Sequence, residues 1–248
     1  NTAVTAGGGM PLIYSNPTLT NVVVSKNKTN DYGGGMYLYN SNPTLINVSI
    51  DSNTSDSLGG QHGGGGIYLT NESNPTLTNT TISKNEANGL GGGMFLNFSD
   101  PTLTNVHING NKAVNGGGIY IGNSNPTMIN MVISNNSATN AAGGMCVWDS
   151  NPILTNVNIT GNISGSNGGG IFASNSDPIL TNSTICRNVA AISGGGIFLF
   201  NYSDPSLTNV TINGNTANEY GGGMYLFKSN PTIINNIIWD NSPESIDI

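Results

Sequence analysis

Hydrolysis of a sugar polymer needs two or three carboxylates converging on one face. Metal-assisted chemistry needs a grouped set of acids, histidines or cysteines. The thirteen acids of this 248-residue chain follow neither pattern. Asp100, Asp177 and Asp204 take the slot before a proline that Asn16 and Asn42 take elsewhere. An Asx turn accounts for Asn and Asp there equally well. Asp31, Asp56, Glu86 and Glu219 fall between apolar stretches, in turns. His62 and His107 share no slot, and Arg187 is the single arginine. Cys146 and Cys186 occupy different slots, so no disulfide is expected between them. The glycine runs precede β-rich stretches rather than helices, which excludes a phosphate cradle. Neither a metal nor a cofactor is expected, and the chain reads as a non-enzyme.

Composition narrows the partners. The net charge is −7, and the six cations (Lys26, Lys28, Lys84, Lys112, Arg187, Lys228) form no stripe. A nucleic-acid partner is therefore not expected. No apolar run approaches the roughly 18 residues of a membrane span.

The elements that must position any site come from a repeat. Glycine runs begin at Gly7, Gly33, Gly64, Gly91, Gly116, Gly143, Gly168, Gly194 and Gly221. An Asn/Asp-Pro step recurs at Pro17, Pro43, Pro75, Pro101, Pro126, Pro152, Pro178, Pro205 and Pro231, with spacings of 26, 32, 26, 25, 26, 26, 27 and 26. One unit reads Gly-Gly-Gly-Met-Tyr-Leu, a turn, then Asn-Pro-Thr-Leu-Thr-Asn-Val-x-Ile-x-x-Asn. Its apolar stretches are short, β-rich and punctuated by Gly, Pro and Asn. These features predict one all-β domain, a solenoid of three parallel sheets and about nine coils. At ~4.8 Å per coil the rod is roughly 43 Å long.

Strand parity gives the core. Met36, Leu38, Leu45, Val48 and Ile50 are expected inside. One aliphatic column runs Leu19, Leu45, Leu77, Leu103, Met128, Leu154, Leu180, Leu207, Ile233; another runs from Val24 to Ile238. Two asparagine columns are complete. The first is Asn21, Asn47, Asn79, Asn105, Asn130, Asn156, Asn182, Asn209 and Asn235. The second is Asn27, Asn53, Asn85, Asn111, Asn136, Asn162, Asn188, Asn215 and Asn241. Both are expected to form inward amide ladders at corners, because Asn tolerates the left-handed conformation a corner needs. Asn47, Asn79 and Asn209 also head Asn-x-Ser/Thr sequons, which an inward column would close to glycosylation.

The outward positions bear on function. After each core Met or Ile come Tyr37, Tyr68, Phe95, Tyr120, Cys146, Phe172, Phe198 and Tyr225; two residues further on are Tyr39, Trp148, Phe200 and Phe227. Eleven of the seventeen aromatics thus share one expected exterior face, a strip that can stack on itself along the sheet with partial cover by turns, or serve assembly or sugar stacking. A second face carries Thr-x-Thr rows such as Thr76/Thr78 and Thr102/Thr104, interrupted by Ile46, Ile129, Ile153, Ile179 and Ile234. An insertion over 54–63 brings Asp56, Gln61 and His62.

The Gly-Gly-Gly-Ile step (Gly64–Ile67, Gly116–Ile119) and the Ile/Val-x-x-Asn step (Val24–Asn27, Ile212–Asn215) resemble the repeats of bacterial polymorphic outer-membrane proteins. Here Ile or Val stands where that family has Phe in the second step. The resemblance covers 7–241. It implies a right-handed parallel β-helix of the pectin-lyase-like kind, on a secreted or surface-exposed protein. That fold also hosts polysaccharide lyases and glycoside hydrolases. Asn1 opens almost directly onto a repeat, so the sequence reads as an excised or processed piece. Ile246 and Ile248 match the core slots of Met36 and Leu38, and neither end carries a recognisable cap. The expected function is an extracellular, non-enzymatic rod that self-associates end to end or through the aromatic face. The alternatives are a glycan-binding adhesin, a polysaccharide-cleaving enzyme, and an ice-binding surface built on the Thr rows.

Overall fold

The computed structural model describes residues 1–57 and 63–248. It is a solenoid built wholly of short strands in parallel register, with no helix among the described residues. The second coil shows the plan: Met36–Tyr39, Thr44–Ile46, Ser49–Asp51 and Thr54–Ser55. Each strand pairs with its equivalents in the coils before and after, giving sheets of ten, nine, nine and nine strands. The three expected sheets are the aromatic sheet of Met36–Tyr39, the threonine sheet of Thr44–Ile46 and the third sheet of Ser49–Asp51. A fourth, the corner sheet of Thr54–Ser55, joins them. Its strands are two residues long, too short for an alternating pattern to announce them.

The aliphatic columns are where parity puts them. Met36, Leu38, Leu45, Val48 and Ile50 are buried in one continuous core that runs the length of the rod. Burying one such side chain contributes roughly 2 kcal/mol. Ile246 pairs beside Met224 as expected, but Ile248 lies beyond the last strand and is 91% exposed. The glycine triplet brings each coil back onto its neighbour. Gly116 has φ +64°, and a Cβ on Gly117 would sit 2.3 Å from the Ser137 carbonyl oxygen. Only glycine permits both the turn and the contact.

The two corners differ. All nine residues of the first asparagine column have φ between +50° and +56°, as a corner demands. Their side chains nevertheless face solvent. A left-handed residue reverses the alternation of a strand, so Val22 and Val24 turn inward while Asn21 turns out. Outward amides still pair between some coils, as in Asn105 Nδ2 to Asn79 Oδ1 at 3.1 Å. The sequon asparagines Asn47, Asn79 and Asn209 are accordingly exposed, not enclosed.

The second column is the inward one. Asn53, Asn85, Asn111, Asn136, Asn162, Asn188 and Asn215 are fully buried, with Asn27 nearly so and Asn241 half-buried. From Asn53 to Asn215 each amide is used completely. Asn136 Oδ1 accepts from Asn111 N and Asn111 Nδ2, both at 2.9 Å. Asn136 Nδ2 donates to Ile108 O and to Asn162 Oδ1, both at 3.0 Å. The left-handed residue at this corner is the one before the ladder, Lys26, Ser52, Lys84, Gly110 or Asn135 in the first five coils.

Candidate functional site

The outer surface of the aromatic sheet is the part of the molecule where ring chemistry is concentrated. In-register pairing stacks its side chains one coil apart. Tyr68 and Phe95 stack at 4.5 Å, Phe95 and Tyr120 at 5.3 Å. Phe172 and Phe198 stack at 5.3 Å, and Phe198 and Tyr225 at 5.2 Å. A second row sets Phe200 on Phe227 at 5.3 Å.

This stack is not the open strip that sequence parity suggests. Tyr68, Phe95, Phe172 and Phe198 are buried, and Tyr37, Tyr39, Tyr120, Phe200 and Tyr225 are half-buried. Only Trp148 and Phe227 are exposed, at 42% and 39%. The rings lie outside the barrel, as expected, but the turns that lead into each glycine run fold over them. Tyr32 meets the rings of Tyr37 and Tyr68, and Tyr220 meets Tyr225. Ala142 is buried with Cys146, Phe172 and Phe198 in a second apolar cluster. Much of the ring area of this face is thereby withdrawn from solvent.

The stack has one interruption. Cys146 stands in register between Tyr120 and Phe172, where every neighbouring coil has a ring. The two flanking rings are two coil steps apart, about 10 Å. The missing ring leaves a hollow of about 280 Å³. Tyr120, Cys146, Trp148 and Phe172 line it, with Leu90, Ala141, Asn115, Asn140, Ser166 and Asn167. In the second row Trp148 pairs with Gly122 and Ser174, so no large neighbour confines it. Its indole leans over the gap and stacks on Phe172 at 6.4 Å.

No formal charge lines the hollow. Burial pushes the Cys146 thiol up to about 12 and the Tyr120 phenol well above its usual range, so both stay protonated. The rim is amide-rich. Asn115 Oδ1 accepts from Asn140 Nδ2 at 2.9 Å and from Ala141 N at 3.1 Å, and Asn167 Oδ1 accepts from Ser193 N at 3.1 Å. Among the described residues, no acceptor pairs with Nδ2 of Asn115 or Asn167. A second hollow of about 160 Å³ is lined by Asn167, Phe172, Phe198 and Phe200, with Phe198 itself stacked on the far face of Phe172 at 5.3 Å.

The acids serve other ends. Asp177 Oδ1 accepts the backbone N–H of Asp204 at 2.7 Å, and Asp177 N–H is itself held by Asn151 Oδ1 at 2.7 Å. The slot before proline thus links coil to coil, rather than closing only a local Asx turn. A buried serine column, unremarked in the sequence reading, does the same one residue earlier: Ser124 N–H donates to Ser150 Oγ at 2.9 Å. Asp56 pairs with Lys28. The insertion begins later than expected, because Thr54–Ser55 pair regularly with Lys28–Thr29. Gln61 and His62 lie outside the described residues. Cys146 and Cys186 are both free thiols. Among the described residues no three His, Cys, Asp or Glu are grouped as a metal site would require, and no helix is long and apolar enough to cross a membrane.

No curated protein matches the chain. A family model described as a right-handed β-helix region matches residues 1–162 and again 92–248. The two matches together span the whole chain and agree with the parallel coils described above, so the chain belongs to the right-handed β-helix family.

Proposed function

We propose that the protein is a non-enzymatic, extracellular structural rod that packs side by side with further copies of itself. The observation that carries this reading is the outer face of the threonine sheet. Its nine strands present eighteen outward residues, from Thr18 and Thr20 to Thr232 and Ile234. None is charged, and all but Ser206 are β-branched. Ile153 and Ile179 are each 44% exposed there. A natural sheet face left to solvent ordinarily carries charges that discourage pairing. This one offers methyl groups in two straight rows, suited to a flat partner of the same kind.

The dimensions limit the strength. Nine strands ~4.8 Å apart, with two rows of side chains, make a face of roughly 400 Å². A standard interface uses about 800 Å² per partner. One pair of rods is therefore weakly held, and association becomes effective where rods are concentrated, as on a surface. The dispersal of the acids supports the non-enzymatic part of the reading, since Asp177 and Asp204 are engaged in backbone ladders and Asp56 in an ion pair.

Analytical ultracentrifugation from about 1 µM to about 1 mM tests it. The expected result is reversible association in the upper part of that range, at affinities of the weak-complex class. The triple variant Thr104→Lys, Ile129→Lys, Thr155→Lys places three cations on adjacent coils of the face and should stay monomeric. A parent that remains monomeric throughout, or a triple variant that associates equally, overturns the proposal.

A further inference from the structure

We propose that the hollow over Cys146 is a binding site for a neutral glycan, with one pyranose ring held between Tyr120 and Phe172 and the next beyond Phe172. The inference is independent of the lateral packing proposed above. Its basis is the interruption itself. Rings one coil apart in this stack sit about 5 Å from one another. At Cys146 the ring is missing, yet its two neighbours keep their places.

Volume comes first. The hollow measures about 280 Å³. An apolar cavity of about 150 Å³ already accepts a benzene ring. A six-membered ring with substituents therefore has room.

The walls then choose the chemistry. A pyranose has apolar C–H faces and a polar edge. Tyr120, Phe172 and Trp148 supply flat apolar surfaces for the faces. The rim supplies unpaired amide N–H groups from Asn115 and Asn167 for the hydroxyl edge. A bare aromatic side chain from another protein would use the walls but leave these amides desolvated and unpaired, which is costly. A uronate or phosphorylated ligand would find no cation in the lining. Neutral hexopyranose fits both features. The second hollow shares Phe172 and Asn167 with the first. The next sugar ring lies in the second hollow, against Phe200 and Asn167 beyond the stacked Phe172–Phe198 pair, and the glycan runs along the rod axis.

The test is isothermal titration of the full chain with maltotetraose, cellotetraose and mannotetraose, each to about 10 mM. Saturable binding of at least one, in the micromolar to millimolar range typical of shallow sites, is expected. Cys146→Phe should weaken that binding at least about tenfold by completing the stack, while Cys146→Ala leaves it within about twofold. Trp148→Ala removes one exposed wall and should also weaken it about tenfold, so the proposal stays falsifiable if Cys146→Phe fails to fold. Failure of all three tetrasaccharides to bind overturns the proposal, as does equal binding by the Cys146→Phe and Trp148→Ala variants. If Cys146→Phe instead alters only self-association in the ultracentrifuge, the occupant is a second copy of the chain and the glycan assignment falls.

Discussion

The buried asparagine ladder and the aromatic stack run parallel to each other along the same rod, one inside the barrel and one outside it. Both are columns of one kind of side chain, amide in the first and ring in the second, recurring from coil to coil. The ladder is complete from Asn27 to Asn241, and from Asn53 to Asn215 each amide in it spends its donors and its acceptor on neighbours. The stack is broken once, at Cys146, and the break opens to solvent beside an exposed indole. A column with nothing left over has nothing to offer a ligand. A column with a gap keeps one face of Tyr120 without a stacking ring and leaves Phe172 covered there only by an exposed indole. Regularity in a solenoid therefore reports stability, and departures from it are where binding is to be sought.

The largest effect should come from breaking the ladder. Asn136→Ala removes four hydrogen bonds at once and strands the Ile108 carbonyl and the Asn111 amide in the core. Buried groups left unsatisfied in this way cost about 3–5 kcal/mol in total. Urea unfolding should show the loss as a lower midpoint. The outer column provides the contrast. Asn130 has φ +53° and an exposed side chain, so Asn130→Gly should change stability by less than about 0.5 kcal/mol. Equal losses at the two sites would abolish the distinction between a ladder that holds coils together and one that merely decorates a corner.

The second effect concerns alkali. Burial raises the Cys146 thiol from 9.0 to about 12 in the folded chain. The unfolded chain gives up this proton near its ordinary value, so between about pH 9 and about pH 12 the folded state holds more protons. Stability present below pH 9 must then fall as pH rises, at up to about 1.4 kcal/mol per pH unit from this group. Cys146→Ala should flatten that part of the profile, measured as urea midpoint against pH. Tyr68 and Tyr120, which burial also raises, add to the decline and remain in the variant.

Much of this was legible in the sequence, and the reason is repetition. The core slots of Leu45 and Ile50 recur in kind at every coil, so period and parity could be read together. The corner at Asn21 was legible as a corner because asparagine favours the left-handed conformation. The direction of its side chain was not, because that conformation inverts the alternation on which parity depends. The second corner was legible from its asparagine column, but the residue that takes the left-handed conformation was not, since Lys26, Ser52, Gly110 and Asp240 share no single residue type. The aromatic column was placed correctly outside the barrel. The extent of its cover was not legible because the turns that supply it, with Tyr32, Leu90, Ala141 or Asn167, differ in every coil. The hollow itself had a signal, a cysteine in a column of rings, but a change of residue type shows a cavity only once the depth of the cover is known.

Filling the gap should give a smaller effect than either the ladder break or the alkaline decline, and one of opposite sign. Cys146→Phe places a ring between Tyr120 and Phe172 at the spacing already used by Phe172 and Phe198. The new ring gains two stacking neighbours and displaces solvent from an apolar hollow, at the expense of pushing Trp148 outward. Aromatic pairs contribute about 0.5–1.5 kcal/mol each beyond burial, and the displaced indole offsets part of that. A net gain of about 1 kcal/mol is expected, which in a chain of this length raises the melting temperature by about 2–4 °C. A loss instead of a gain would mean that the turn over 140–142 has closed on the cysteine too tightly to admit a ring. The interruption would then be a feature of packing, and the aromatic stack would resemble the asparagine ladder after all in leaving nothing free to bind.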